Sequence, residues 1–157
     1  MKVTLIVVGK SDLGAISTLI ADYEKRLRHY CKFELLIAKT VTKAKGLSVK
    51  EILEYESREF QKHLNPKAVL VLLDDKGAQK SSLEFSAFLG DMRERAIPEL
   101  CFLIGGAYGF SEHIHSMCSH KLSLSKMTFT HQMVRPVFME QLYRAFTILN
   151  NEPYHHE

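Results

Sequence analysis

The sequence predicts a single α/β domain with a largely parallel sheet flanked by helices. Three observations carry that reading. Strand-like and helix-like patterns alternate from one end of the chain to the other, as they do in βαβ units. The strand-like runs are apolar throughout, which marks strands covered on both faces. The 157 residues, 46% hydrophobic and 25% charged, suffice for one ordinary packed core, and no repeat, linker or low-complexity segment divides them. Residues 1–157 are therefore read as one domain.

Each element has its own local cause. "KVTLIVVG" (2–9) is β-branched and almost wholly apolar, a first strand. Residues 12–28 set Leu13, Ile16, Leu19, Ile20, Tyr23 and Leu27 at helical spacing. "FELLIAKTV" (33–41) is a second strand, followed by the loop "TKAKGLS". Ser48-x-x-Glu51 forms a capping box that opens a helix running to about His63. Pro66 interrupts, and "AVLVLLD" (68–74) is the third strand, closed by a turn at "DDKGAQK". Ser81-x-x-Glu84 is a second capping box, for a helix ending near Arg95. Pro98 stops it, and "ELCFLIG" (99–105) is the fourth strand. Ser111 caps a short helix, "HKLSLS" is a short strand, and a last helix spans about Gln132 to Leu149 before the tail "NNEPYHHE".

Composition excludes several classes. The N-terminal apolar run is too short, and lacks a cleavage site, for a signal peptide. No stretch approaches the roughly 20 apolar residues that span a bilayer. Cys31, Cys101 and Cys118 are odd in number and far apart, which suits reduced thiols and a cytoplasmic protein. A net charge of +3 permits a nucleic-acid partner without demanding one.

In open α/β sheets, ligands bind beyond the carboxyl ends of strands. Here that points to Leu73-Asp74, Gly105-Gly106 and Leu124-Ser125-Lys126. The loop Gly105-Gly106-Ala107-Tyr108-Gly109 resembles a phosphate cradle, yet both nucleotide fingerprints are missing, including the lysine that would reach a phosphate. A tight strand–helix turn explains it equally well. His113, His115, Cys118 and His120 invite a zinc reading, but their spacing fits no structural zinc site, so no metal is expected. "LSLSKMTFTHQMVRP" (122–136) crowds polar groups between buried elements, the mark of a functional loop. The last helix is apolar over an arc wider than one packing face, either deeply buried or, as we favour, part of a subunit interface. Glu140 and Arg144 stand four apart, close enough to pair. Tyr154 and His155 at the chain end combine a stacking group with one that titrates near neutrality.

"FLIGGAYGF" and "LSLSKMTFTHQMVRPVFMEQLYRAFTILNNEPYHH" closely resemble the RlmH family, SPOUT-class methyltransferases acting on N3 of a pseudouridine in bacterial 23S rRNA. The likeness extends from "VVGK" through "ADYEKRL" and "LLDDKGAQKSSLEF" to the tail. It implies a deep C-terminal trefoil knot over about 70–150, a homodimer, and S-adenosylmethionine as cofactor. Matching the family pattern, cofactor contacts fall on Leu73, Gly105, Gly106, Leu124, Ser125, Lys126, Met127, Thr128 and Phe129. Arg144, Tyr154 and His155, the last two in the functional tail 151–157, are implied near the target base, with the tail completing a partner subunit's site, and His131 and Arg135 as further substrate contacts. The implied substrate is 23S rRNA within the assembled ribosome, at the intersubunit hairpin. Segment 41–60 departs from the pattern, with "EYESREF" where members carry "KEKEG". Two other readings remain open, a non-catalytic ribosome-binding module and an α/β enzyme with another nucleotide ligand.

Overall fold

Five strands, β1 (Lys2–Val8), β2 (Lys32–Ala38), β3 (Val69–Gln79), β4 (Glu99–Ile104) and β5 (His120–Ser123), form one sheet in the order β2-β1-β4-β3-β5. Every pairing is parallel. Five helices connect or follow them: α1 (Gly14–Leu27), α2 (Val49–Gln61), α3 (Ser82–Glu94), α4 (Glu112–Met117) and α5 (Val134–Leu149). The structure is a computed structural model and describes residues 1–11, 14–41 and 45–156. The expected helical contact of Leu13, the start of the loop after β2 and the last tail residue, Glu157, lie outside that range.

The apolar strands behave as two-faced elements. Alternate residues of β1 and β4 feed two separate clusters. Val3, Leu5 and Val7 join Phe102 and Ile104 beneath α1, α3 and α5. Ile6 and Val8 join Cys101 and Leu103 on the other face, against Phe60 of α2 and Ile114 of α4. The larger cluster centres on Phe102, Phe138 and Phe85, with Phe102 and Phe138 ring centroids 4.7 Å apart. All three thiols are shielded: burial pushes Cys31 and Cys101 up to about 12 and Cys118 up to about 11, so they stay protonated.

Both predicted capping boxes form, with Ser48–Glu51 and Ser81–Glu84 each making the reciprocal pair of bonds. The turn expected at 74–80 is corrected. β3 bulges out between Leu73 and Ala78 and then resumes pairing, so that Leu122 of β5 faces both residues. Gly77 permits this return, because a Cβ there would lie 2.7 Å from the Leu122 backbone. The start of the last helix also moves, from Gln132 to Val134. Thr130 closes the preceding turn, its hydroxyl accepting from Met133 N and its carbonyl from Val134 N. Pro136 then falls in the helix's first turn, where a missing N–H costs no helical bond. The wide apolar arc of α5 has a partner on each side within the chain, α1 and α3. Phe138, Met139, Leu142, Ala145 and Phe146 are all buried there.

Candidate functional site

The loops leaving β3, β4 and β5 converge around an open cavity of about 1000 Å³. Its walls include Leu73, Gly105, Gly106, Leu124, Ser125, Met127, Thr128 and Phe129, together with His131. Lys126 is exposed and does not line it. The cavity thus sits at the carboxyl edge of the sheet, where parallel α/β topology concentrates loop ends.

Local chemistry shapes both principal walls. In the glycine turn, Gly109 has φ +77° and its N–H donates to Gly106 O at 3.1 Å. The turn is pinched so tightly that a Cβ on Gly105 would meet the Gly109 carbonyl, 2.8 Å from its carbon. In the serine loop, Ser123 Oγ donates to Ser125 O at 2.9 Å, and Ser125 Oγ accepts from Met127 N at 2.9 Å. These bonds curl the loop over the cavity and leave Met127, 78% exposed, at its rim.

The lining is not basic. Asp74, Asp75 and Glu112 stand against Lys76 and Lys121. Asp74 Oδ2 lies 3.7 Å from His115 Nε2, and its Oδ1 accepts from Lys76 N. His115 Nδ1 is buried with no hydrogen-bond partner among the described residues. His115 is one of four residues whose spacing fits no structural zinc site; in the structure it stands opposite Asp74. Among the described residues, no three metal-capable side chains gather.

A second cluster forms on α5 and the tail. Arg144 pairs with Glu140 at 2.5 Å, and its Nη1 lies 3.3 Å from His155 Nδ1. The guanidinium can only donate, so Nδ1 accepts and the neutral ring carries its proton on Nε2. Arg144 also covers the Tyr154 ring at 4.9 Å, and Tyr154 OH donates to Glu140 Oε1 at 3.3 Å. Burial foremost, then a hydrogen bond with Tyr23, pushes the Tyr154 phenol up to about 12. The structure therefore brings Arg144, Tyr154 and His155 together, but none of the three lines this chain's cavity.

Arg135 departs from expectation. It is 1% exposed, and its guanidinium donates to Val8 O, Gly9 O, Ser11 Oγ and His131 O. These bonds tie the start of α5 to the end of β1. Sequence reasoning also missed Tyr30, whose hydroxyl donates to Glu152 Oε2 at 2.6 Å and holds the tail from α1's C-terminal side. A pairing across 122 residues leaves no local signal.

The family model described as "Predicted SPOUT methyltransferase" matches residues 1–155. The chain belongs to this family. A protein of Parabacteroides distasonis named "Ribosomal RNA large subunit methyltransferase H" is 48% identical over 157 residues, covering all of both chains. One of the same name in Flavobacterium johnsoniae is 47% identical, again over the full length of both. Among solved structures, a methylase family protein of Neisseria gonorrhoeae aligns with TM-score 0.53 at 9% identity, covering 99% of this chain and 85% of that one. At that identity the likeness concerns the fold.

Proposed function

We propose that this SPOUT methyltransferase uses S-adenosylmethionine to methylate N3 of a pseudouridine in the intersubunit hairpin of 23S rRNA, on assembled ribosomes in the cytoplasm. The observation that carries the reading is the cavity walled by the glycine turn and the curled serine loop. Its residues fit the cofactor. The space a Cβ would take at Gly105 is already filled by backbone, so the turn presents main-chain groups at close range. The lining balances acids against lysines, which suits a cation without phosphates. Leu73, Leu124 and Phe129 supply apolar surface for a flat base, and loop amides supply polar contacts. When bound, the cofactor supplies an activated methyl group on a sulfonium.

The reading includes a homodimer and a deep trefoil knot across about 70–150. Two features support the dimer. Tyr108, Met127 and Phe129, all exposed, line the cavity and leave apolar surface there for a partner to cover. The tail cluster, meanwhile, is complete in itself but does not line its own chain's cavity. A partner's tail would then complete each site.

Within that site the protein's own groups divide the labour. Tyr154, neutral at pH 7, positions the base by stacking and hydrogen bonding. Arg144 contacts an RNA phosphate. His155 accepts or relays the imide proton, at Nδ1, because Nε2 already carries one. An RNA phosphate that draws Arg144 aside would free that nitrogen. His131, at the cavity wall, contacts substrate.

Two measurements test this. Calorimetry should show binding of S-adenosylmethionine and S-adenosylhomocysteine, but not ATP or NAD. Removal of residues 154–157 should leave cofactor affinity within about twofold and lower methylation of unmodified ribosomes by at least ~100-fold, the scale of a lost acid–base group. Normal methylation by the truncated chain would refute the role of the tail. Cofactor binding without any transfer by the full chain would favour a ribosome-binding module.

A further inference from the structure

Behind the glycine turn lies a buried carboxyl group that no described cation neutralises. Glu56 of α2 is 4% exposed. Its Oε1 accepts from Thr40 Oγ1 at 2.9 Å, and its Oε2 is buried with no hydrogen-bond partner among the described residues. The acidic neighbours on the same helix differ: Glu59 pairs with Lys62, and Glu51 is held by the Ser48 cap. Burial raises the pKa of Glu56, and the bond from Thr40 opposes that rise. Ionising this group is costly unless positive charge stands nearby.

The geometry shows where such a charge could stand. A Cβ built on Gly106 would lie 2.8 Å from Oε2 and 2.9 Å from Oε1. Gly106 itself lines the cavity. The carboxyl group is thus separated from the cavity by the backbone of one glycine, and any side chain there would push it away. A charge this close to the cavity wall acts on a bound ligand over a short distance, where Coulomb interaction is strongest.

We propose that Glu56 sets the charge preference of the cavity: its carboxylate, acting across Gly106, favours a cationic sulfonium ligand over the neutral thioether of the same shape. This rests on the cofactor reading above and adds a specificity-determining residue that touches no ligand. Loss of the methyl group removes the ligand's sulfonium charge, so the same carboxylate weakens retention of the product. Segment 41–60 then has a part in the cofactor site and not in surface shape alone.

The test is calorimetric titration of S-adenosylmethionine and S-adenosylhomocysteine into the wild-type chain and Glu56→Gln. Glutamine keeps the size and can still accept from Thr40. Glu56→Gln should bind the sulfonium about tenfold more weakly and the thioether within about twofold, the effect of one charge close to the ligand. Glu56→Asp, which keeps the charge, should restore much of the preference. Equal losses for both ligands would make Glu56 a mere prop of the turn and overturn the proposal; so would no loss for either. Should Glu56→Gln not fold, carbon-13 resonances of the wild-type glutamate carboxyls decide. The Glu56 resonance should titrate at lower pH with the sulfonium bound than with the thioether, and identical midpoints would overturn the proposal. Failure of the wild-type chain to bind either ligand would remove the cofactor reading itself, and the proposal with it.

Discussion

Glu99 opens β4 as a charged residue only 5% exposed, and its surroundings explain how it is tolerated. Thr4 Oγ1 donates to it at 2.5 Å, Asn65 Nδ2 at 2.8 Å, and Lys2 Nζ stands 3.2 Å away. Burial alone would raise its pKa, but these three partners outweigh burial and hold it below the usual carboxylate range. A carboxyl with a depressed folded-state pKa stabilises the fold above its unfolded pKa, and that stability is lost as pH falls through the folded value. Thr4→Val should therefore cost about 1 kcal/mol in urea unfolding at pH 7. The deficit should shrink once pH falls far enough below the usual carboxylate range to protonate Glu99, where the charge-assisted bond is gone. An equal deficit at both pH values would show that Thr4 matters by packing instead. The two arginines of α5 show the limit of sequence at this scale. Arg135 and Arg144 share a helix, yet one is sealed against β1 carbonyls and the other faces the tail. Burial of an arginine depends on acceptors brought by a distant strand, and no local pattern announces them.

At the scale of elements, α1, α5 and the tail are joined by stacked aromatic rings. Tyr30 lies against Phe146 at 5.9 Å and Tyr143 at 5.7 Å, and Tyr143 meets Tyr154 edge-on at 4.8 Å. Arg26 covers both Tyr23 and Tyr143. Tyr30→Phe keeps the rings and removes the hydroxyl, with its bond to Glu152 and its contact with Tyr143. Such a change should cost under about 1 kcal/mol of stability, since an exposed hydrogen bond contributes little. If the tail must be held in place for transfer, kcat should still fall roughly threefold to tenfold, as misplacement of a reacting group does, while cofactor affinity is unchanged. An unaltered kcat would show that the rings alone hold the tail. Helix starts were legible because capping boxes are local: Ser48 and Ser81 each find a glutamate three residues on. The continuation of β3 to Gln79 was not. Asp74, Asp75 and Gly77 are turn residues by type, and only pairing with β5, 44 residues on, makes them part of a bulged strand.

For the whole molecule, alternation of elements and apolar strands sufficed to place a parallel sheet, and loops at its carboxyl edge wall a cavity. The strand order β2-β1-β4-β3-β5 was not readable, because α2 and α4 each carry the chain past an existing strand, and periodicity holds no record of which strand is passed. The same limit separates cavity from tail. The family resemblance places Gly105 and His155 in one site, the tail coming from a partner subunit; within one chain the two residues belong to two places. A composite site across a dimer predicts complementation. A chain truncated before Tyr154 retains its cavity. A Gly105→Ala chain retains its tail, but its new Cβ is driven into the Gly109 carbonyl, which distorts the cavity wall. Each should be inactive alone. Co-expressed, random pairing makes about half of the dimers mixed, and each mixed dimer has one intact cavity facing one intact tail. Methylation should therefore return to about a quarter of the wild-type rate per dimer, as the product of those two halves. If mixed dimers are isolated and remain inactive, each tail serves its own chain, and the cluster of Arg144, Tyr154 and His155 must swing to a cavity it does not line here.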